Sequence, residues 1–187
     1  MWIRRVAVAT ALTLLIGGPA IPAAADRIRA HDANDVDGTL DISSITHGHG
    51  HRAGVLIHRI RTYGEWRPRA LNGNDGFDVW FSTDREDRFA EYRASIYVDH
   101  GALRACIGGY SEGSDFAGVG PCKAIDVRRP DPRTVVIRFA ARRIGGNDYA
   151  WSASSSYRKA GSANCRRGCY DYAPNDRLPR GQIHHHL

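Results

Sequence analysis

Apolar and polar residues alternate with a period of two through most of the chain. In the stretch FDVWFS the alternation places Phe77, Val79 and Phe81 on one face. This period is typical of β-strands with one buried face. It predicts strands near residues 40–42, 55–63, 77–82, 91–99, 102–107, 122–129, 134–140 and 148–157. Beyond the first 25 residues, no window of useful length shows the strong 3.6-residue period of an amphipathic helix.

The spacing of these segments predicts the fold class. About eight short strands, separated by turn residues at intervals of roughly 8–12 residues, indicate an all-β domain, and we expect a single antiparallel β-sandwich of the jelly-roll type. Ile45 breaks the alternation set by Leu40 and Ile42, which predicts a β-bulge. The glycine-rich residues 108–121 predict a long hairpin loop, and residues 141–146 predict one helical turn.

The N-terminal residues have the pattern of a secretory signal peptide. Arg4 and Arg5 precede an apolar run over residues 6–16, and three alanines at 23–25 offer a cleavage site before Asp26. The apolar run ends at Gly-Gly-Pro, short of the roughly 20 residues that a membrane span needs. We therefore expect a secreted protein, extracellular or associated with the cell wall, with no stable membrane span.

The pattern divides the chain into four regions. They are a signal peptide over 1–25, a polar N-terminal segment over 26–38, the β-sandwich over 39–160 and an irregular, disulfide-pinned tail over 161–187. The 162 residues after the signal peptide are enough to bury one hydrophobic core.

The charge of the exported chain is basic but modest. After residue 25 there are 24 basic and 20 acidic residues, and only Lys123 and Lys159 are lysines. Arginine-rich surfaces suit anionic polymers, although the same bias is expected of a GC-rich genome, which we favour as its cause. No run of arginines is long enough to form a nucleic-acid stripe, and the chain is exported, so we do not expect a nucleic-acid partner.

Four cysteines predict a disulfide framework. An even count in an oxidising compartment is typical of two disulfides. We expect the pairs Cys106–Cys122 and Cys165–Cys169, because each would close a local loop. The other pairings and a zinc site remain alternatives, although the cysteine spacing does not match the usual C-x2-C ligand pairs.

Several segments together resemble known exported proteins. They are DANDVDGTLDISSITHG, LIHRIRTYGEW, FDVWFSTD, YAWSA and YDYAPN. In order and pattern these segments are similar to short secreted β-sandwich proteins of GC-rich Gram-positive bacteria and, more distantly, to family 9 carbohydrate-binding modules and DOMON-like domains. The resemblance spans most of residues 32–157 and implies a β-sandwich. It carries no catalytic motif. Relatives often have an Asp-x-Asp-Gly-Asp turn after the central strand, and the turn STDREDRFAEY departs from that pattern by having no glycine.

The stretch ITHGHGHRAG contains a candidate metal site. His47, His49 and His51 are two residues apart and would share one face of a strand, where imidazole nitrogens could hold zinc. The glycines between them favour a hairpin loop instead. We therefore expect exposed histidines in a loop and keep the metal site as the alternative. His58, mid-strand between apolar residues, is expected to pack or hydrogen-bond near the core.

Two acidic turns are candidate sites for structural calcium. Hard oxygen ligands in irregular loops are what calcium prefers, and no other cofactor is expected. The first set is Asp32, Asn34, Asp35 and Asp37, and the second is Asp84, Glu86 and Asp87. The first set does not have EF-hand spacing, and aspartates also occur in turns because they cap their own backbone.

The remaining candidate is an outward-facing tryptophan. Trp80 shares a face with Asp78 and Ser82, opposite Phe77, Val79 and Phe81, so it could stack on a sugar ring or be covered by a second layer.

The sequence predicts a binding function rather than catalysis. No catalytic residues are assigned, since the chain lacks a G-x-S-x-G motif or a comparable signature. We expect a secreted, non-catalytic binding module for a glycan, a cell-wall polymer or a protein. The alternative is a small metal-dependent hydrolase that uses His47, His49 and His51. The oligomeric state stays open.

Overall fold

The computed structural model describes residues 28–50, 54–71, 75–83, 90–110, 121–146, 148–157, 169–174 and 183–185. The strands within these ranges are β1 (Ile28–His31), β2 (Ile42–His49), β3 (Val55–Thr62), β4 (Gly76–Ser82), β5 (Tyr92–Asp99), β6 (Ala102–Gly109), β7 (Lys123–Ala124), β8 (Asp126–Asp131), β9 (Thr134–Ala140), β10 (Tyr149–Tyr157), β11 (Cys169–Ala173) and β12 (Ile183–His185). Short 3₁₀ turns cover Pro68–Leu71 and Ala141–Ile144. The second confirms the helical turn predicted at 141–146.

The strands form two antiparallel sheets, which confirms the all-β sandwich. The smaller sheet has the order β1–β2–β3–β9–β8. The larger sheet has the order β11–β10–β4–β5–β6–β7, and β12 also pairs with β10. In each sheet a strand from the first half of the chain pairs with one from the second half, namely β3 with β9 and β4 with β10.

Inward-facing residues of both sheets make one hydrophobic core. Val79 on β4 and Ile137 on β9 are almost completely buried, as the alternation predicts. Other large buried side chains include Leu56, Ile60, Phe77, Phe81, Ile96 and Trp151. Removing one such side chain from water stabilises a fold by about 1.5–3 kcal/mol. Burial of these two apolar faces is therefore what holds the sheets together.

The prediction of one continuous strand over 122–129 is wrong, because the chain passes from one sheet to the other within this segment. β7 pairs with β6 in the larger sheet, whereas β8 pairs with β9 in the smaller sheet. The crossing is at Ile125, whose N–H donates to the carbonyl of Ala105 at 3.0 Å. Both halves keep a period of two, so the alternation alone does not reveal the crossing.

The two ends of the described chain hold more regular structure than predicted. β1 lies within the polar segment 26–38 and pairs with β2. β11 pairs with β10 from Cys169 to Ala173, and β12 pairs with the start of β10. The prediction of an irregular tail over 161–187 is therefore wrong for these two stretches.

The proposed signal peptide, residues 1–25, lies outside the described residues. Across the described ranges, we find no helix with the length and apolar character to cross a membrane.

A disulfide links β6 of the larger sheet to the segment directly before β7. It joins Cys106 on β6 to Cys122, with the Cα atoms 5.5 Å apart, and confirms this predicted pair. The closed loop has a sequence separation of 16 residues, for which loop entropy gives about 3 kcal/mol of stabilisation. Cys169 is also disulfide-bonded. Its predicted partner, Cys165, lies outside the described residues.

Candidate functional site

An aspartate-rich loop, residues 32–41, connects β1 to β2. Side chains from elsewhere in the fold hold its backbone. The hydroxyl of Tyr63, which follows β3, donates to the carbonyl of Asp32 at 2.7 Å. The hydroxyl of Ser155 on β10 donates to the carbonyl of Leu40, also at 2.7 Å. Because these contacts come from both sheets, the loop is fixed against the core.

Two buried carboxylates meet where this loop ends. Asp41 directly precedes β2, and Asp171 lies on β11 of the other sheet, and each is only 1% exposed. The N–H of Ile42 donates to Asp171 Oδ2 at 2.5 Å, which joins the two sheets. The register of β2 against β3 shifts between Ile42 and Ser44. This irregularity confirms the bulge predicted near Ile45.

Asp35 completes a group of three carboxylates, which we name the carboxylate cluster. One oxygen from each of Asp35, Asp41 and Asp171 lies within 4.8 Å of the other two. Among the residues that the structure describes, no other group of His, Cys, Asp or Glu brings three ligand atoms this close together. Asp35 is exposed whereas the other two are buried. The cluster therefore opens to solvent on the side of Asp35.

Burial and mutual repulsion raise the pKa values of the two buried carboxyls in the carboxylate cluster. Burial is the largest cause that raises the pKa of Asp171, to about 8, against the lowering effect of a backbone N–H. The charges of Asp32, Asp41 and Asp35 raise this pKa further. Burial likewise raises the pKa of Asp41 to about 6, and the charge of Asp35 raises it further, while a side-chain hydrogen bond with Asp171 lowers it. The folded protein therefore disfavours the simultaneous ionisation of these groups unless a positive charge joins them.

In buffer that contains a chelator, the free energy of unfolding should decrease as the pH rises from about 4 to about 8. The folded-state pKa values of Asp41, about 6, and Asp171, about 8, exceed the ordinary value of 3.8. The folded protein thus binds more protons than the unfolded chain in this window, and stability is lost as the pH rises. We expect a loss on the order of a few kcal/mol, measured by urea unfolding across the window.

A matched pair of variants tests whether Asp171 causes this dependence of stability on pH. Asp171→Asn should flatten the dependence on pH, whereas Asp126→Asn, at an exposed position on β8, should leave it unchanged. A chelated protein whose stability is constant or rises over the window would contradict the raised pKa values.

The structure brings part of the first predicted calcium set close to the two buried carboxylates. Asp35 belongs to the carboxylate cluster, and the charges of Asp32 and Asp37 also raise the pKa of Asp41. Asn34 is exposed on the same loop. Asp41 and Asp171, which the sequence analysis did not single out, are the buried members of the cluster.

The second predicted calcium set lies outside the described residues. It consists of Asp84, Glu86 and Asp87.

The hairpin-loop prediction for His47 and His49 is wrong, because both lie on β2. His47 is completely buried and faces His58 on β3, with the ring centroids 4.7 Å apart. The hydroxyl oxygen of Tyr149 lies 3.1 Å from His47 Nδ1 and 3.3 Å from His58 Nε2. This confirms the core position predicted for His58. His51 lies outside the described residues.

Aromatic packing around His47 explains why β2 can bury a histidine. Trp151 packs against the rings of both His47 and His58, and Phe81 and Phe139 pack against His58. Burial raises the pKa of Tyr149 well above its ordinary value, so its hydroxyl keeps the proton that it can donate to an imidazole. The histidines that the structure describes form no group of three metal-ligand atoms within 4.8 Å.

Trp80 lies on the outer face of the larger sheet, which confirms its predicted orientation. It is half-buried, and its Nε1 donates to the hydroxyl of Ser154 on β10 at 2.9 Å. Tyr110 packs edge-on against the indole with the ring centroids 5.0 Å apart. The guanidinium carbon of Arg93 lies 5.6 Å from the centroid of the same indole. Stacking of Trp80 on a ligand stays a prediction.

Polar groups and further aromatic rings surround Trp80 on this surface. The hydroxyl of Ser95 donates to Asp78 Oδ1 at 2.6 Å, and Arg93 Nε lies 3.8 Å from the same oxygen. Burial raises the pKa of Asp78, while Ser95 and Arg93 lower it. Tyr172 also faces outward, because it alternates with buried residues of β11. We name this surface the aromatic face and define it by Trp80, Tyr110, Tyr172, Arg93 and Asp78.

Comparison of the chain with protein-family models, with curated proteins and with solved structures finds no match.

Proposed function

We propose that the chain is an exported, non-catalytic binding domain that holds a cell-wall glycan on the aromatic face. The observation that carries this proposal is the partly exposed indole of Trp80 on β4, an interior strand of the larger sheet. The resemblance to carbohydrate-binding modules supports the same ligand class. The signal-peptide pattern supports export to where such glycans occur.

The chemistry of the aromatic face suits a sugar. A pyranose ring has C–H groups on its faces and hydroxyls at its rim, so an aromatic plane with polar groups beside it matches both. Trp80 on β4 and Tyr172 on β11 are separated by one intervening strand. Two strand spacings amount to roughly 10 Å, which lets two rings of one glycan meet two aromatic side chains.

The polar groups of the aromatic face are already oriented. Asp78 is held by Ser95, and Arg93 is held between Asp78 and the indole of Trp80. A carboxylate has several acceptor sites and a guanidinium has five donors. Asp78 and Arg93 can therefore bind sugar hydroxyls while they keep these contacts, and little ordering is needed on binding.

The buried histidines favour binding over metal-dependent hydrolysis. A hydrolytic zinc ion needs an open coordination position for water and access for substrate. His47 is completely buried and lies within hydrogen-bond distance of Tyr149. It is therefore poorly placed to hold such an ion, and we do not propose the hydrolase.

Trp80→Ala should weaken binding to cell-wall glycans by at least about tenfold, which corresponds to about 1.4 kcal/mol of lost stacking. The measurement is the affinity of purified residues 26–187 for soluble fragments of cell-wall polysaccharide. Trp66 and Trp151 are buried, so a change in tryptophan emission on adding glycan should come mainly from Trp80. That emission change should disappear in Trp80→Ala.

A matched pair of arginine variants provides the control. Arg93→Ala removes a donor from the aromatic face, whereas Arg128→Ala removes an exposed arginine from β8 of the other sheet. We expect weaker binding only for the first. Equal glycan affinity for the parent and Trp80→Ala would contradict the proposal. So would a parent protein that binds wall proteins and no glycan.

A further inference from the structure

We propose that Asp35, Asp41 and Asp171 form a calcium site that ties the N-terminal loop and the smaller sheet to β11 of the larger sheet. This site lies on the inner side of the sandwich and goes beyond the proposed glycan function. Neither proposal depends on the other.

Within the described residues, three of the four carboxylate oxygens of Asp41 and Asp171 accept no hydrogen bond from an N–H group, and the fourth, Asp171 Oδ2, accepts one from Ile42. Both oxygens of Asp41 and Oδ1 of Asp171 are shielded from solvent, and no N–H group of the described residues reaches them. The side-chain hydrogen bond of Asp41 is with the carboxyl of Asp171, and it requires one of the two acids to be protonated. Asp41 and Asp171 are each 1% exposed. Buried carboxylate oxygens are normally paired, because leaving them unpaired costs several kcal/mol. A cation beside these carboxylates would supply the positive partner that they lack when both are ionised.

The oxygens of the carboxylate cluster are close enough together to ligate one ion. Oxygens that ligate one calcium ion at about 2.4 Å can be up to about 4.8 Å apart. The three oxygens of the carboxylate cluster lie within 4.8 Å of one another. Calcium takes six to eight oxygen ligands in irregular arrangements. Since Asp35 is exposed, water can reach that side of the site and supply the remaining ligands.

The charge of the carboxylate cluster also favours a cation. The three ligands are all aspartates, and Asp32 and Asp37 add negative charge nearby, as their effects on the pKa of Asp41 show. In the described part of the chain, no basic side chain forms an ion pair with Asp41 or Asp171. A site of hard oxygens without histidine or cysteine selects calcium or magnesium rather than zinc.

The three ligands come from different parts of the fold. Asp35 lies in the loop before β2, Asp41 directly precedes β2, and Asp171 lies on β11. The loop between β1 and β2 contains no strand, and one ion would add a further link between this loop and both sheets. We therefore expect calcium to raise the stability of the whole domain.

The test is thermal unfolding of purified residues 26–187, first stripped with a chelator and then titrated with Ca²⁺. Calcium at about 100 times its dissociation constant should raise the melting temperature by roughly 5–10 °C. Mg²⁺ at the same concentration should have a smaller effect, because it demands a tighter octahedral shell. Tb³⁺ should bind the same site and give luminescence excited through Tyr157, whose hydroxyl donates to the backbone carbonyl of Asp37 in the same loop.

Two variants distinguish a metal site from a purely structural pair of acids. Asp41→Asn and Asp171→Asn remove one negative charge each, so they should raise the melting temperature of the chelated protein. They should also weaken Ca²⁺ binding by at least about 100-fold, since changes beyond the ligands already cost about 10–100-fold. Asp126→Asn, at an exposed position on β8, should keep the calcium response of the parent.

Three outcomes would overturn the proposal. The first is the absence of both a Ca²⁺-dependent shift and Tb³⁺ luminescence in the parent, which would mean that the two buried carboxyls share a proton instead. The second is an undiminished calcium shift in Asp41→Asn and Asp171→Asn, which would place the ion elsewhere. The third is a magnesium shift as large as that of calcium, which would reject calcium as the selected ion.

Discussion

Replacing Val79 with aspartate, or Ile137 with aspartate, should prevent the protein from folding. Val79 lies on the inner face of the larger sheet and Ile137 on the inner face of the smaller one, and both are almost completely buried. An aspartate at either position would place an unpaired carboxylate in the apolar core. Its cost, more than about 5 kcal/mol, is comparable to the whole stability of a typical domain. The measurement is soluble yield together with the circular dichroism and urea unfolding of any purified protein.

The control for this prediction is a substitution to aspartate outside the core, with a larger change of charge. Arg128 is exposed on β8, so Arg128→Asp should change the free energy of unfolding by no more than about 0.5 kcal/mol. An unchanged urea midpoint in Val79→Asp or Ile137→Asp would mean that the inner faces are wrongly assigned.

Replacing His47 with serine should destabilise the protein by about 3 kcal/mol. The substitution leaves a cavity among His58, Tyr149 and Trp151, and it removes the hydrogen-bond partner that lies 3.1 Å from the hydroxyl of Tyr149. The exposed-loop interpretation of the same histidine predicts a change below about 0.5 kcal/mol. Urea unfolding in chelator-containing buffer therefore separates the two interpretations.

An exposed histidine provides the control for that experiment. His100 is 95% exposed in its side chain and has a φ of 48°, a left-handed conformation that asparagine tolerates. His100→Asn should therefore change the stability by no more than about 0.5 kcal/mol. A His47→Ser variant as stable as His100→Asn would show that His47 is not part of the core.

The fold was predictable because the residues that bury apolar surface follow a simple period. The inner faces of β4 and β10 contain Phe77, Val79, Trp151 and Ala153 at alternate positions, and each is buried. The crossing at Ile125 was not predictable in this way, since a strand that changes sheet keeps its alternation.

The candidate sites were less predictable, because they depend on which residues the topology brings together. His47 stands among glycines in the sequence, and its burial depends on rings from β3 and β10 that alternation cannot place. Asp171 stands between Tyr170 and Tyr172, which face outward, and its role follows only from pairing with the start of β2. The composition of the sequence reveals the acidic loop itself. It does not reveal which residues bury the neighbours of that loop.

The order of strands in the two sheets also has a consequence for how the chain reaches this structure. β3 is bordered by β9 along its length, and β4 by β10. A chain that grows from its N-terminus therefore presents two open strand edges until nearly all of it has been made. Pairing between segments so distant in sequence slows folding, and open edges promote aggregation in the meantime. Shortened forms that end before β9 should accumulate as aggregates, and acquisition of the native state should depend on the last-synthesised part of the chain.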